Sequence, residues 1–195
     1  MPPRRSQEER TRSTRSALTS AARALFAERG YAAVSTDEIV RAAGVTRGAL
    51  YHHYTDKQAL FRDVFEQLED EITAEISAVV AGIPDHLAAM AAGVECFLDI
   101  CQRPEVLRIG LTDAPAVLGW AAWREIEGRH GLGIITEMLG AAAADGLIPA
   151  SASVPALSQL VLSAVIESAL MIANGAGREP VQQALMTLLL GPITK

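Results

Sequence analysis

The residues of this sequence with the most specific chemistry lie in the run Thr46-Arg47-Gly48-Ala49. The guanidinium of Arg47 is a planar fork that can donate two hydrogen bonds to guanine O6 and N7. Gly48 and Ala49 are small enough to let a helix approach DNA closely or to touch a thymine methyl group. This run is therefore suited to contacting base edges. Hydrogen-bond donors that suit phosphate oxygens lie around it, and these are Thr36, Tyr51, His52 and Lys57.

Two short helices joined by a tight turn must position these side chains. Ser35 can cap the first helix, and Glu38 three residues later completes a capping box. Gly44 follows the last apolar residue at helical spacing and can take the left-handed conformation that often ends a helix. Thr46 then caps a second helix, in which Leu50 faces back toward the core and the first turn stays exposed. The pattern predicts a helix-turn-helix that presents the N-terminus of its second helix, the geometry that major-groove recognition requires.

A helix over about residues 12–29 is predicted to complete the small core, in which Phe26, Ile39 and Leu50 meet Tyr31. Residues 1–11 contain Pro2-Pro3-Arg4-Arg5 and have no apolar periodicity, so we expect a mobile basic arm there. Such an arm can reach into a minor groove, but an unstructured terminus without a partner explains it equally well. The three-helix bundle is small and should depend on the next helix for stability.

These motifs together resemble the DNA-binding domain of the tetracycline-repressor (TetR) family of bacterial regulators. The resemblance rests on F-A-E-R-G-Y (26–31), S-T-D-E-I-V-R-A-A-G-V-T-R-G-A-L-Y-H-H-Y (35–54) and D-K-Q-A-L-F (56–61), at matching separations, over about the first third of the chain. It implies base contacts from Thr46, Arg47, Gly48 and Ala49, and phosphate contacts from Thr36, Tyr51, His52 and Lys57. Tyr54 is a conservative departure from the Phe that many members carry.

Charge is distributed unevenly along the chain. Residues 1–55 hold nine basic and five acidic residues, a net charge of +4, whereas residues 56–195 hold eight basic and eighteen acidic residues, a net charge of −10. A basic module on an acidic body is expected where one end alone meets phosphates. We therefore divide the chain into a DNA-binding domain over residues 1–55 and a second helical domain over residues 56–195.

Composition bounds the remaining possibilities. The chain has 195 residues, of which 50% are hydrophobic, and two cysteines, Cys96 and Cys101, which lie five apart and are poorly placed for a local disulfide or a shared metal ion. The absence of an apolar signal sequence predicts a cytoplasmic protein. The most apolar stretch, residues 156–173, contains Glu167 and several serines, and we interpret it as a buried or interface helix rather than a membrane span.

The second domain is predicted to be entirely helical, which makes the fold class all-α. A long connector helix over residues 56–80 carries the stripe Leu60, Val64, Leu68 and Ile72, and its acidic residues, among them Glu69, are expected on a solvated face. Further helices are predicted over residues 85–101, 105–110, 117–144, 154–173 and 179–190, with a loop over residues 111–115.

The second domain resembles the effector-binding and dimerisation domain of the same family, and this half is less diagnostic. Flat or adaptable apolar side chains and a few polar anchors suggest an apolar ligand pocket, although all of them also suit an ordinary core. The predicted pocket residues are His86, Met90, Phe97, Cys101, Trp120, Trp123 and His130. Apolar stripes on the last two helices suggest the seam of a homodimer. The predicted dimer residues are Leu160, Ala164, Ser168, Leu185 and Leu189.

We therefore expect a ligand-responsive, sequence-specific DNA-binding regulator, a homodimeric repressor that an apolar small molecule releases from a palindromic operator. No cofactor and no metal are expected, and no membrane partner. A small helical enzyme or metal protein lacks support, because the sequence contains no H-E-x-x-H, no clustered C-x-x-C and no glycine-rich phosphate loop after a strand. A carrier with a vestigial DNA-binding head would leave Arg47, Tyr51 and Lys57 without a role.

Overall fold

The computed structural model describes residues 7–191, apart from the side chain of Leu190, and its regular elements over that range are all helices. Within these residues the predicted all-α class is confirmed. The elements are α1 (Gln7–Arg29), α2 (Thr36–Ala42), α3 (Arg47–His53), α4 (Lys57–Val80), α5 (His86–Ile100), a π-helical segment (Val106–Asp113), α6 (Ala114–Leu118), α7 (Trp120–Arg129), α8 (Gly131–Ala144), α9 (Val154–Ala173) and α10 (Arg178–Leu190).

Helices α1, α2 and α3 enclose the predicted small core. Phe26, Ile39 and Leu50 are all fully buried there. Helix α4 completes this core with Phe61, whose ring centroid lies 5.4 Å from that of Phe26 and 5.1 Å from that of Tyr31 in edge-on contacts. The three-helix unit of α1, α2 and α3, called the head below, therefore shares its core with α4.

The first helix begins earlier than the sequence pattern indicates. Residues 7–11, predicted as part of a basic arm, form the first turns of α1, and residues 1–6 of that arm lie outside the described residues. Glu8 and Glu9 in the first turn suit the positive end of the helix dipole. Arg15 then ties the helix to α4 through Asp63, with Nη2 2.8 Å from Oδ1. The acidic first turn thus favours the longer helix, and the ion pair holds its middle against α4.

The connector helix α4 is buried on two rows of side chains. The predicted row is present, and a second row of Phe61, Phe65 and Glu69 at i, i+4 and i+8 is also buried. The reason is that α4 packs against α1 on one side and against α5 on another. The prediction that Glu69 lies on a solvated face was wrong, since its side chain belongs to this second row.

The predicted helix over residues 117–144 is broken twice. Gly119, with φ of +80°, separates α6 from α7, and His130, with φ of −104° and ψ of −89°, separates α7 from α8. The predicted loop over residues 111–115 is helical instead, because the π-helical segment continues directly into α6. The resulting short helices pack against several neighbours, the π-helical segment touching α1, α4 and α9.

Candidate nucleic-acid interface and ligand cavity

The turn between α2 and α3 is built by local hydrogen bonds. Ser35 Oγ accepts from Glu38 N at 3.3 Å, and Glu38 Oε2 accepts from Ser35 N at 2.9 Å, which is the predicted capping box. Hydrogen bonds from Ser35 and Arg29 lower the pKa of Glu38 to about 2, so this carboxylate keeps its charge. Gly44 has φ of +66°, and Val45 N then donates to Val40 O at 3.0 Å. These contacts hold the two helices in one relative orientation.

Helix α3 is anchored at its C-terminal end and exposed at its N-terminal end. Leu50 is fully buried, and the buried Tyr54 donates its hydroxyl to Asp63 of α4. Thr46 Oγ1 caps the helix by accepting from Ala49 N at 3.2 Å. Thr46, Arg47 and Gly48 are exposed and Ala49 is half-buried. The anchor therefore presents the predicted base-contacting residues to solvent.

No packing contact in the described protein requires a glycine at position 48. A Cβ atom built there meets only Thr46 Oγ1, at 3.9 Å, and the backbone is helical. Glycine in a helix costs up to about 1 kcal/mol relative to alanine. Its presence on the exposed first turn is thus unexplained by the fold and suits close approach of another molecule.

The side chain of Arg47 is held only by weak surface contacts. Its Nη1 donates to Asp37 Oδ1 at 3.2 Å, and each side chain is 60% exposed. Its guanidinium carbon lies 5.6 Å from the centroid of the Tyr51 ring. Exposed ion pairs contribute about 0–1 kcal/mol, so Arg47 can exchange this partner for another at little cost.

The four predicted phosphate donors have different environments. Tyr51 and His52 are exposed and Thr36 is half-buried. Lys57 instead donates its ammonium to Tyr31 O at 2.9 Å and to Val34 O at 2.8 Å, and Nζ lies 3.9 Å from the centroid of the Tyr31 ring. Burial lowers the pKa of Lys57. Two of its three N–H groups therefore fasten α4 to the segment before α2, which the sequence did not reveal.

A hydrogen-bonded network fixes the head on α4. Arg15 donates to Asp63 from Nε at 3.0 Å and from Nη2 at 2.8 Å, and Tyr54 donates to the same carboxylate. Burial alone would raise the pKa of Asp63, but these hydrogen bonds outweigh burial and lower it. The recognition helix and the connector helix are thus linked through one ionised carboxylate.

The second domain contains a narrow cavity of about 70 Å³ between α4, α5, α7, α8 and α9. Of the predicted pocket residues, Met90 and Phe97 line it. Two carboxyl groups, from Glu69 and Glu127, also line it and were not among the predicted residues. The apolar remainder of the wall includes Ile72, Ile76, Val94, Ile134, Ile135, Met138, Val161, Leu162 and Val165.

Neither of the two histidines predicted in the pocket lines this cavity. His86 Nε2 lies 3.0 Å from Asp145 Oδ2, and His130 Nδ1 lies 3.3 Å from Asp70 Oδ1. Both histidines occur at helix boundaries, where their rings reach acidic residues on neighbouring elements. These positions replace the predicted role as polar anchors of the cavity.

The predicted cysteine and tryptophans also lie outside the cavity wall. Cys101 is buried in the core, where burial raises the pKa of its thiol. Trp120 is 68% exposed, whereas Trp123 is buried with its Nε1 lacking a hydrogen-bond partner among the described residues. The centroids of the two rings lie 5.0 Å apart, and the guanidinium carbon of Arg124 lies 5.4 Å and 5.9 Å from them. Both tryptophans belong to α7, which begins after the break at Gly119.

A signal for the missed carboxyls was present in the sequence. Glu69 continues the i, i+4 row of Phe61 and Phe65, and Glu127 follows Trp123 by four residues. For a glutamate in a helix, spacing of four residues from a buried aromatic side chain indicates burial more reliably than neighbouring acidic residues indicate exposure. This spacing indicates burial, although it does not reveal that the two rows face the same cavity.

A second, wider cavity of about 570 Å³ lies at the end of α8, α9 and α10. Its lining is apolar and includes Leu147, Leu160 and Leu188, which are exposed at 38%, 67% and 64%. Of the predicted dimer residues, Leu160, Ala164 and Leu189 line this surface. The other two are buried within the protomer and are corrected: Ser168 donates to Ala164 O at 2.8 Å, and Leu185 is 3% exposed. Helix periodicity alone could not distinguish the two sides of these helices.

Helix α9 is the one helix in the described part of the chain that has the length and apolarity to cross a membrane, and 33% of its apolar window is buried. Such a helix is weak evidence for a membrane span, because core helices share these properties. Among residues 7–191, no group of three or more metal-ligating side chains comes together.

Comparison with known families agrees with this architecture. Residues 18–64 match the family described as bacterial regulatory proteins, tetR family. Residues 87–191 match the family described as tetracyclin repressor-like, C-terminal domain. The first match contains the second half of α1, α2, α3 and the start of α4. The second contains the helices that form the two cavities except α4, which lies outside it.

Individual proteins show the same similarity. The Transposon Tn10 TetC protein of Escherichia coli is 34% identical over 58% of this chain and 57% of its own length. The HTH-type transcriptional regulator AcrR of Shigella flexneri is 37% identical over 41% of this chain and 39% of its own length. The matched part thus spans about half the length of these curated relatives. The crystal structure of a TetR-family transcriptional regulator from Pectobacterium atrosepticum is 31% identical and covers 98% of this chain and 99% of that chain, with a TM-score of 0.79.

Proposed function

We propose a function from the premise that this chain belongs to the TetR family of bacterial regulatory proteins, and is a DNA-binding transcription regulator with a helix-turn-helix. We infer that it is a homodimeric repressor that binds a palindromic operator. An apolar small molecule entering the second domain releases it. The AcrR protein and the Pectobacterium protein are transcription regulators, which argues against an enzyme.

The observation that carries the DNA-binding proposal is the exposed first turn of α3. Thr46, Arg47 and Gly48 project from a helix whose other end is anchored by Leu50 and Tyr54. The weak contact between Arg47 and Asp37 leaves the guanidinium available for a guanine edge. Thr36, Tyr51 and His52 are proposed to bind phosphates, and the remaining N–H of Lys57 can do the same.

A dimer is required for operator recognition, because one short helix reads few base pairs. Two recognition helices about 34–36 Å apart can enter successive major grooves of a palindrome. The exposed apolar side chains of α9 and α10, Leu160 and Leu188, support the proposal that these helices form the seam.

The contacts of α4 suggest how a ligand would act on the head. One wall of the narrow cavity is α4, and the N-terminus of the same helix is fastened to the head through Lys57. Gln58 Nε2 donates to Val117 O at 2.6 Å, and Tyr31 N donates to Asp113 Oδ2 at 2.7 Å. A shift of α4, α6 or the π-helical segment would therefore displace the C-terminal end of α1.

The small size of the cavity supports ligand-driven movement. A volume of about 70 Å³ holds only a few water molecules, so a larger molecule must push its walls apart. A coupling free energy of about 1–3 kcal/mol would change operator affinity by roughly 5- to 150-fold. The same coupling requires operator DNA to weaken ligand binding by the same factor.

Selection of bound sequences from random duplexes at near-physiological salt tests the proposal. We expect recovery of one palindromic site. On that site, Arg47→Ala should cost roughly 1–3 kcal/mol and relax the preference at one base pair, whereas Lys57→Ala should weaken binding to all duplexes and reduce the salt slope by about one. Thermal unfolding of Lys57→Ala, measured in parallel, separates loss of its internal hydrogen bonds from loss of a phosphate contact.

Two results would contradict this function. Folded, dimeric protein that recovers no sequence above the random pool would favour a small-molecule carrier. Equal effects of both substitutions on selected and random duplexes would refute the separate roles of Arg47 and Lys57.

A further inference from the structure

The narrow cavity contains two acidic side chains from distant parts of the chain. Glu69 projects from the second buried row of α4, and Glu127 projects from α7. Their residues are only 8% and 6% exposed, and both line the cavity wall. Carboxyl groups are rarely buried to this extent unless a partner compensates the loss of water.

Neither carboxyl has a hydrogen bond or an ion pair within residues 7–191. Arg124 is the basic residue whose charge acts on Glu127, but its guanidinium is used elsewhere. Its Nη2 donates to Gln159 Oε1 at 2.5 Å, and the group lies 5.4 Å and 5.9 Å from the centroids of the Trp120 and Trp123 rings. The described protein therefore leaves this pair of acids without a cation.

Ionising these two buried acids is electrostatically costly. Burial raises the pKa of Glu127 to about 7. Burial also raises the pKa of Glu69, and the charges of Glu127 and Asp70 add to that effect. Burial thus disfavours the ionised form of both carboxyl groups, and a positive charge placed between them would offset that cost.

The rest of the wall defines the body of a suitable molecule. Ile72, Ile76 and Val94 give it an apolar surface, and Phe97 offers an aromatic face. Met90 and Met138 are flexible side chains that adapt to irregular shapes. A compact apolar group with one cationic end matches both the wall and the acids.

We propose that the effector of this regulator is a small lipophilic amine, bound in the narrow cavity with its ammonium group between Glu69 and Glu127. The proposal rests on the proposed function in taking this cavity as the effector site. A neutral phenol or alcohol could also form hydrogen bonds with the two acids, but it would not favour their ionised form as an ammonium group does. The cation is therefore the better match.

Three probes with the same ring and the same number of heavy atoms distinguish these possibilities. Benzylamine is cationic at neutral pH, benzyl alcohol is a neutral donor and ethylbenzene is apolar. Binding to the full chain without DNA is measured by calorimetry at neutral pH. We expect benzylamine to bind about 10- to 100-fold more tightly than ethylbenzene, with benzyl alcohol between them.

Amide substitutions assign the effect to the two acids. Glu69→Gln, Glu127→Gln and the double variant should each reduce the advantage of benzylamine, and the double variant should remove it. These variants should remain folded in thermal unfolding, because the amide has the size of the acid and no charge to bury. Glu137→Gln, at an exposed position of α8, removes the same charge outside the cavity and should leave all three affinities unchanged.

Every other outcome contradicts the proposal that the effector is a lipophilic amine. Equal affinities for the three probes, tighter binding of ethylbenzene or of benzyl alcohol, or no binding of benzylamine would overturn it, as would an advantage that survives in the double variant. Failure of the proposed function is seen separately, because the duplex selection uses no ligand. A chain that selects an operator but prefers a neutral probe remains a regulator with another effector class.

Discussion

Gly48→Ala provides a sharp test because the structure predicts opposite effects on stability and on DNA binding. The new methyl group meets only Thr46 Oγ1, at 3.9 Å, and the backbone at this position is helical. Replacing glycine by alanine in a helix contributes up to about 1 kcal/mol of stability, and less near the first turn. For a domain of this size, such a gain raises the midpoint of thermal unfolding by at most roughly 2–4 °C.

The same methyl group should reduce affinity for the operator. If Gly48 packs against the floor of a major groove, one added carbon must be accommodated by a shift of the helix or of the DNA. Added carbons in close-packed contacts cost about 1–3 kcal/mol, which corresponds to a loss of roughly 5- to 150-fold in affinity. Fluorescence anisotropy with the selected operator and with a random duplex measures this loss, and the loss should be smaller on the random duplex.

Gly133→Ala is the matched control for this substitution. Gly133 is exposed within α8, and a Cβ atom built there has no neighbour within 4 Å. This control should gain similar stability and bind operator DNA as the unsubstituted protein does. Unchanged operator affinity of Gly48→Ala would refute the proposed close approach. A loss of stability in Gly48→Ala would show instead that the fold requires the glycine.

Three further predictions follow from particular contacts. Leu160→Glu should convert the proposed dimer to monomers in sedimentation analysis, because Leu160 lines the proposed seam, whereas Val79→Glu, on α4, should not. Asp113→Ala should remove the 2.7 Å hydrogen bond from Tyr31 N and reduce ligand-induced operator release while ligand affinity in the absence of DNA stays unchanged, at a stability cost of about 1–3 kcal/mol. Burial raises the pKa of Glu127 from 4.5 to about 7, so the folded chain keeps a proton that the unfolded chain releases, and stability should fall as the pH rises through this range. The urea midpoint of Glu127→Gln should fall less over the same range.

Each of these predictions has a contradictory result. A Leu160→Glu protein that stays dimeric would place the seam on another surface. Unchanged release by Asp113→Ala would exclude the contact with Tyr31 as a coupling element. A urea midpoint of the unsubstituted chain that rises from about pH 4.5 to about pH 7 by more than that of Glu127→Gln would show that Glu127 is stabilised in its ionised form.

The sequence by itself determined the elements whose causes are local. The capping box of Ser35 and Glu38, the positive φ of Gly44 and the cap at Thr46 involve residues within a few positions of each other, and each is present. The buried positions of Phe26 and Leu50 followed from helical periodicity. For this reason residue types and their spacing were sufficient to predict the helices of the head and the exposure of the run Thr46-Arg47-Gly48.

Only the tertiary structure decided which side chains of the second domain are buried and which partners they contact. Periodicity indicated that α9 and α10 have apolar faces, but packing of these helices on their own protomer decided that Ser168 and Leu185 lie inside. The two carbonyl partners of Lys57 belong to an irregular segment that no repeat or cap predicts. A side chain at a helix end can reach several partners, and only the packing of α4 against the head selects among them.

The clearest case is the pair of buried acids. Glu69 lies in an acidic run that is typical of a solvated face, and Glu127 lies beside charged neighbours. Their burial requires α4 and α7 to face one cavity, and the break at Gly119 that sets the direction of α7 has no local signal stronger than the neighbouring glycines. Local chemistry thus specifies helices and caps, whereas burial and pKa depend on which distant helix closes over each side chain.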